Sequence, residues 1–348
     1  MNNWLIRLWM TVCFIGLFSS CERRPLGEVD NKVKVRVILN VNTMLNVTTG
    51  VYNEKIPVPE ISPEIIRVIF YDVDTGDIAS QGFISKKGYD EEGNMYLEGS
   101  VNILPGTYDM LCYNFDTPST LVKDEGAWNT IMAYTSEISE YLYSRFQNRG
   151  YDVTPTVYYE PDHLLVAREP SIIIPEHAEV INVHTDASSI IDTYYIQVRL
   201  VNGEYASDAT AILTDMVSSN KFGLNERNYE EFSGIFFEMQ RSVDTRIRAN
   251  NQEVLCALFN TFGKRPENAR NEVESQLFVT FNVLTSYGEK VEMVVDMDSI
   301  FRTRDAIDRH WLLIDKEFVI PKPPAPSGGG FKPSVNDWDK EEGFIELQ

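Results

Sequence analysis

Basic charge is scarce in this chain. Lys and Arg number 31 against 52 Asp and Glu, giving a formal net charge of −21, and no basic run exceeds the pairs Arg23-Arg24 and Lys86-Lys87. A body this acidic repels phosphate backbones and anionic lipid, which excludes nucleic acid as a partner and leaves any membrane attachment to a tether. Histidine is sparse too, with four copies in 348 residues. The chain contains no Gly-x-Ser-x-Gly elbow, no Gly-x-x-x-x-Gly-Lys loop and no His-Glu-x-x-His pair. The spacings that mark serine hydrolases, phosphate loops and zinc peptidases are therefore missing, and the chain reads as a non-enzyme without cofactors. No apolar stretch reaches the roughly 20 residues that span a bilayer as a helix.

Cysteine is scarce as well, with four copies. Cys13 falls in an apolar run from Leu8 to Phe18, and Cys21 follows Leu17-Phe18-Ser19-Ser20. The run is too short to cross a membrane and fits the apolar core of a signal peptide over residues 1–20. Small residues before a cysteine resemble the lipobox of a bacterial lipoprotein, which implies cleavage before Cys21 and acylation of its thiol and new amine. An ordinary secretory signal is the plainer reading, but it lacks an Ala-x-Ala-like cleavage site. Two further thiols remain, Cys112 and Cys256, each inside an apolar run. They are either one disulfide or two separately buried groups, and their place in different halves of the chain favours the second.

What the chain does have is strand rhythm. After a tether over residues 21–32, Val33 to Val41 alternates with Val33, Val35, Val37, Leu39 and Val41 on one face, the pattern of a half-buried strand. A loop with Pro57, Pro59 and Pro63 follows. Ile65–Tyr71 and Ile78–Ile84 read as a hairpin around Asp72-Val73-Asp74-Thr75-Gly76-Asp77, and Met95–Leu104 and Thr107–Phe115 as another around Pro105-Gly106. Helical spacing of Ile138, Tyr141, Leu142, Arg145 and Phe146 predicts one helix, capped by Thr135 or Ser136 and ending before Gly150. Extended structure resumes over Val157–Tyr159 and His163–Ala167. Pro170 to Pro175 is expected to divide a β-sandwich over 33–169 from another over 172–320.

The second half repeats the rhythm over Glu179–His184, Tyr194–Val201, Ala209–Asp215, Ile235–Gln240, Glu253–Phe259, Gln276–Leu284, Lys290–Asp296 and Trp311–Ile320. A short helix is expected over Ser299–Arg309. Residues 321–330 are a proline- and glycine-rich linker, and residues 331–348 form a tail bearing Phe331, Trp338, Phe344, Ile345 and Leu347. Its apolar residues fall into two short patches, which predicts local docking on its own chain with Trp338 as the buried anchor.

Four stretches stand out: Cys21-Glu22-Arg23-Arg24-Pro25-Leu26, Arg67-Val68-Ile69-Phe70-Tyr71, Leu104-Pro105-Gly106-Thr107-Tyr108, and Gly328-Gly329-Gly330-Phe331-Lys332-Pro333 with Val335 and Trp338. Together they resemble motifs of Bacteroidetes fimbrillin-like lipoproteins, in particular fimbrial anchor and minor-subunit proteins. The resemblance implies a mainly β fold of two tandem transthyretin-like sandwiches with few short helices. It also implies an outer-membrane lipid anchor, facing the cell surface in preference to the periplasm, and fimbrial subunits as partners through strand exchange. Fibre-forming relatives are cut after Arg or Lys in the loop behind the first strand. Lys55 is the comparable position here, in a different context, which points to an anchor or accessory role in adhesion or assembly. A glycan-binding outer-membrane lipoprotein is the alternative.

Candidate chemistry is thin. Asp72, Asp74 and Asp77 lack the calcium-loop order, since Gly76 stands fifth and Phe83 twelfth, and a plain turn explains them. His177 and His184 are seven apart on a strand and so face opposite ways; no metal site is expected. Tyr158-Tyr159 and Tyr194-Tyr195 each send one ring outward, which suits either a glycan face or ordinary strand propensity. Asp298-Ser299-Ile300 resembles the O-glycosylation acceptor of Bacteroidetes exported proteins, with Ser299 as the modified residue; a helix cap is the competing reading.

Overall fold

Alternation along residues 33–41 does what it implies: Val33, Val35, Val37, Leu39 and Val41 are all buried, while Lys34, Arg36 and Asn40 face outward. A computed structural model describes residues 31–48, 56–57, 59–146, 154–243, 252–267 and 276–324. The first strands are β1 (Val33–Val41), β2 (Ile66–Asp72), β3 (Ile78–Ile84), β4 (Lys86–Tyr89), β5 (Met95–Ile103) and β6 (Gly106–Asn114). A long excursion follows, carrying β7 (Leu121–Lys123), β8 (Met132–Tyr134), helix α1 (Glu140–Tyr143) and β9 (Thr156–Tyr159). The chain then returns through β10 (Leu165–Ile174) and β11 (Val180–Ser189).

These strands, apart from β7 to β9, make one sheet in the order β3-β2-β6-β10-β11-β1-β5-β4. It folds over so that β3-β2-β6-β10 faces β11-β1-β5. Val35, Val37 and Leu39 of β1 meet Val68, Phe70, Met110 and Cys112 across the gap, all at 0% exposure. Ile190 and Ile191 alone separate β11 from the second sandwich. That sandwich comprises β12 (Asp192–Val201), β13 (Ala206–Met216), β14 (Ser219–Lys221), β15 (Glu226–Arg227), β16 (Ser233–Val243), β17 (Glu253–Thr261), β18 (Phe278–Thr285) and β19 (Lys290–Asp296). Helices α2 (Asp298–Phe301) and α3 (Arg304–Arg309) lead into β20 (Trp311–Val319). Its sheet runs β19-β18-β13-β16-β17-β12-β20 around a core in which Phe237 and Phe259 stack 4.3 Å apart.

One connectivity is used twice. In each sandwich the first strand lies between an antiparallel neighbour (β5, β17) and, in parallel, the sandwich's last strand (β11, β20). The second strand (β2, β13) lies between two antiparallel partners (β3 and β6, β16 and β18). The fold is thus mainly β, with two tandem sandwiches and few short helices, although no sequence repeat announces it.

Three expectations need correction. The junction placed at Pro170–Pro175 begins inside β10 and ends one residue past it, and β11 also belongs to the first sheet, so the first sandwich's strands run to Ser189 rather than 169. Pro170 is tolerated because it sits at a bulge. The register slips between Glu169 and Ile172, Ser171 takes φ +56°, and the Ser171 amide donates to the Asp109 carboxylate at 2.8 Å. The helix expected from Ile138 shrinks to four residues and is capped by Ser139, not Thr135 or Ser136. Ile138 is claimed by an extended pairing, its amide donating to the Val157 carbonyl beside a Glu137–Tyr158 bridge. The helix over Ser299–Arg309 is two helices, the second capped by the Thr303 hydroxyl.

The excursion between β6 and β10 is woven into the second sandwich. There β8 pairs with β14 and β9 runs parallel to β16, so both halves share hydrogen bonds. They also share a core: Ile69, Tyr71, Leu111 and Tyr113 of the first sheet pack with Ile131 and Ala133 of the excursion and with Val217, Phe222 and Phe262 of the second half.

Candidate functional site

The expectation of strand exchange turns on the first strand. Here β1 is paired along both edges, in parallel with β11 from Lys34↔Val180 to Val41↔Ala187 and antiparallel with β5 from Val33↔Ile103 to Asn40↔Tyr96. Burial of its five inward side chains stabilises the seat by on the order of 8 kcal/mol. Polar clasps hold the outward face. Glu98 of β5 accepts from Lys86 of β4 and Arg36 of β1, bridging three adjacent strands. Those two bonds hold its carboxyl below the usual carboxylate range. Asn40 donates to Asp186 of β11 at 2.8 Å.

The loop behind β1 is fastened as well, and to the other sandwich. Asn46 accepts from the Thr193 amide at 2.9 Å and donates to Asp192 at 3.1 Å. The Thr48 amide donates to the Arg309 carbonyl, and the Trp311 indole donates to the Thr48 carbonyl, each at 3.0 Å. Val47 and Ile56 are buried with Tyr195, Val254, Cys256 and Trp311. First strand and loop together span both halves of the molecule.

Where the halves meet, polar groups gather on Asp192. Arg227 donates to it at 2.9 Å, and Gly263 leaves the room for that guanidinium, since a Cβ there would lie 2.1 Å from it. Burial lowers the pKa values of His163 and His310 nearby. Glu160 accepts the Asn260 amide at 3.0 Å, and burial, with Asp162 and Glu238 close by, pushes its carboxyl up to about 7. The folded chain therefore holds the Glu160 proton more tightly than the unfolded one. This contribution is complete below the ordinary glutamate value of 4.5 and is lost as pH rises through about 7. The two histidines act in the opposite sense, losing their contribution as pH falls. Glu160→Gln should match the wild type near pH 5 and melt higher than it above about pH 7.5, a difference read by thermal denaturation across pH. A constant offset between the two curves would contradict this.

The residues singled out from sequence fall apart spatially. Cys21, Lys55 and Trp338 lie outside the described residues. Ser299 is exposed in α2, whose N-cap is Met297 and carries no side-chain cap bond, so neither Asp298 nor Ser299 caps it. Cys112 and Cys256 are buried in separate cores and form no disulfide. The Asp72 carboxylate is occupied by the amides of Asp74 and Thr75, an ordinary Asx turn. His177 and His184 are both exposed. Of the paired tyrosines, Tyr194 and Tyr195 are both buried, against the expected outward ring, while Tyr159 is 37% exposed. Sequence reading missed the Glu98 clasp and the Asp192 cluster; the only local sign was charge of opposite sign on neighbouring strands.

A family model described as a domain of unknown function, DUF5119, matches residues 27–238. The chain belongs to that family. The DUF5119 match covers the whole first sandwich, the excursion and the second sandwich as far as β16. A Bacteroides ovatus protein with the provisional name fimbrium anchoring subunit Fim4B is 22% identical over 303 residues, spanning 82% of this chain and 85% of its own. Among solved structures, a Bacteroides ovatus protein described as a candidate adhesin superposes with a TM-score of 0.54 at 18% identity, over 84% of this chain and 94% of that one. That likeness establishes the fold. The fimbrial anchor protein Mfa2 of Porphyromonas gingivalis aligns over 82% of this chain and 90% of its own, at 13% identity and a TM-score of 0.43. The fimbrillin-like resemblance read from the sequence agrees with the fimbrial name of the Bacteroides ovatus relative of this DUF5119 member.

Proposed function

We propose that this protein is a lipid-anchored subunit of the cell envelope that anchors or accompanies a fimbria-like surface structure, serving adhesion or assembly. The seated first strand carries the reading. A polymerising subunit has to vacate a groove for its neighbour, whereas β1 is paired on both edges and its loop is fastened to the other sandwich. The anchoring name of the Bacteroides ovatus relative supports the same role. Acylation at Cys21 attaches the mature protein to outer-membrane lipid on the cell-surface side, and the partners are fimbrial subunits. Cys21→Ser should release a folded protein into the soluble fraction, since no helix among the described residues is long and apolar enough to cross a membrane. Sedimentation with membranes after a high-salt wash would sink the tether, and a mature N-terminus at Ile56 by mass spectrometry would make the protein a polymerising subunit. The same mass measurement reads added hexose at Ser299, the proposed O-glycosylation site.

The tail over 331–348 is proposed to dock on its own chain through Trp338. Losing a buried Trp costs about 3–5 kcal/mol. Trp338→Ala should then lower the melting temperature of the isolated protein. An unchanged melting temperature with loss of co-purified subunits assigns the tail to a neighbour.

A further inference from the structure

The far end of the first sandwich carries an open cavity of about 760 Å³, between the end of β1, the β4–β5 turn, Asp186 of β11 and residues 60–62. Its size lies within the roughly 300–1,000 Å³ of small-molecule sites. Two large apolar side chains at its margin are left in solvent, Tyr89 at 68% exposure and Met44 at 80%. The amides and carboxylates beside them keep spare hydrogen-bonding capacity. Asn42 uses its carbonyl oxygen for the Met44 amide, which leaves its NH₂ free to donate. Asn40 gives one hydrogen to Asp186 Oδ1, leaving Asn40 Oδ1 and Asp186 Oδ2 as open acceptors. Asn94 spends its NH₂ on Asp90 and Glu92 and keeps its oxygen.

We propose that this cavity binds a neutral carbohydrate segment, independently of any role in a fimbria. A sugar has apolar C–H faces that stack on an aromatic ring, and hydroxyls that both donate and accept. The cavity offers the matching set: the Tyr89 ring, two amide oxygens and a carboxylate oxygen as acceptors, and the Asn42 amide as donor. Charge selects the class. Glu60, Asp90 and Asp186 line the wall and no Lys or Arg does; at the rim Lys87 donates to Ser62 at 3.3 Å. Uronic, sialylated or sulfated glycans would meet like charge.

The detergent-solubilised native protein should be applied to immobilised neutral oligosaccharides from glucans, mannans, xylans and galactans, and to polygalacturonate and heparin fragments. Neutral fragments should bind and acidic ones should not. In calorimetric titration with the best neutral fragment, Tyr89→Ala should weaken binding about tenfold or more, and Asn42→Ala measurably, with melting temperatures unchanged because both side chains lie at an open margin. Failure of every neutral fragment to bind at about millimolar concentration overturns the assignment. So does a preference for the acidic fragments, or neutral binding that survives both substitutions.

Discussion

Residues 190–324 expressed alone are expected to aggregate, while residues 31–324 fold as one unit. The second sandwich lacks a complete surface of its own. Its β16 takes β9 along Ser233 to Phe236, and Ile212 and Phe236 are buried against Ile138, Phe146 and Val157 of the excursion. Val217, Phe222 and Phe262 are covered by the first sheet and the excursion together. Uncovering these five side chains costs on the order of 8 kcal/mol at 1.5–3 kcal/mol each, against about 5–15 kcal/mol of stability for a whole domain. The unpaired edge of β16 adds a template for association between chains. Size-exclusion chromatography and circular dichroism decide the matter. A monomeric 190–324 fragment with a cooperative melt would show that the halves are independent.

Gly223→Ala should be among the most damaging single substitutions in the chain. The residue is buried in the turn between β14 and β15, and a Cβ there would lie 1.9 Å from the Trp128 carbonyl oxygen of the excursion. The obstacle is backbone, so relief requires the β8–β14 pairing to move, and with it Phe222, which packs edge-to-face on Tyr113 at 5.2 Å. Overpacking and a broken pairing together should cost about 3 kcal/mol or more, a fall of roughly 5 °C or more in melting temperature for a protein of this size. Gly126→Ala is the matched control, because nothing lies within 4 Å of a Cβ built there. Equal melting temperatures for the two variants would contradict the account.

The strands were legible where one face is buried and the other wet. Strands β1, β3 and β19 run between the very residues that alternation and turn chemistry marked, and the other long strands differ at their ends. Short strands were not: β7, β8, β14 and β15 have two or three residues each, too few for a period to show. They exist because two distant segments supply each other's partners. Pro170 misled because a bulge absorbs it, and Ile138 because a partner 19 positions on outbids its helical neighbours. The site was legible only as the first strand. Its fastening through Glu98, Asn46 and Trp311 depends on contacts up to 263 residues apart, which no local pattern encodes.

The parallel pairing of first and last strand also sets how each sandwich meets a pull on its ends. Tension drawing β1 toward its N-terminus and β11 toward its C-terminus slides the two strands past one another, so the rungs from Lys34↔Val180 to Val41↔Ala187 resist together instead of opening one at a time. The load then crosses Ile190 and Ile191 into β12 and meets the same arrangement against β20, from Tyr195↔Trp311 to Val201↔Val319. Between its two ends the molecule is two shear clamps in series.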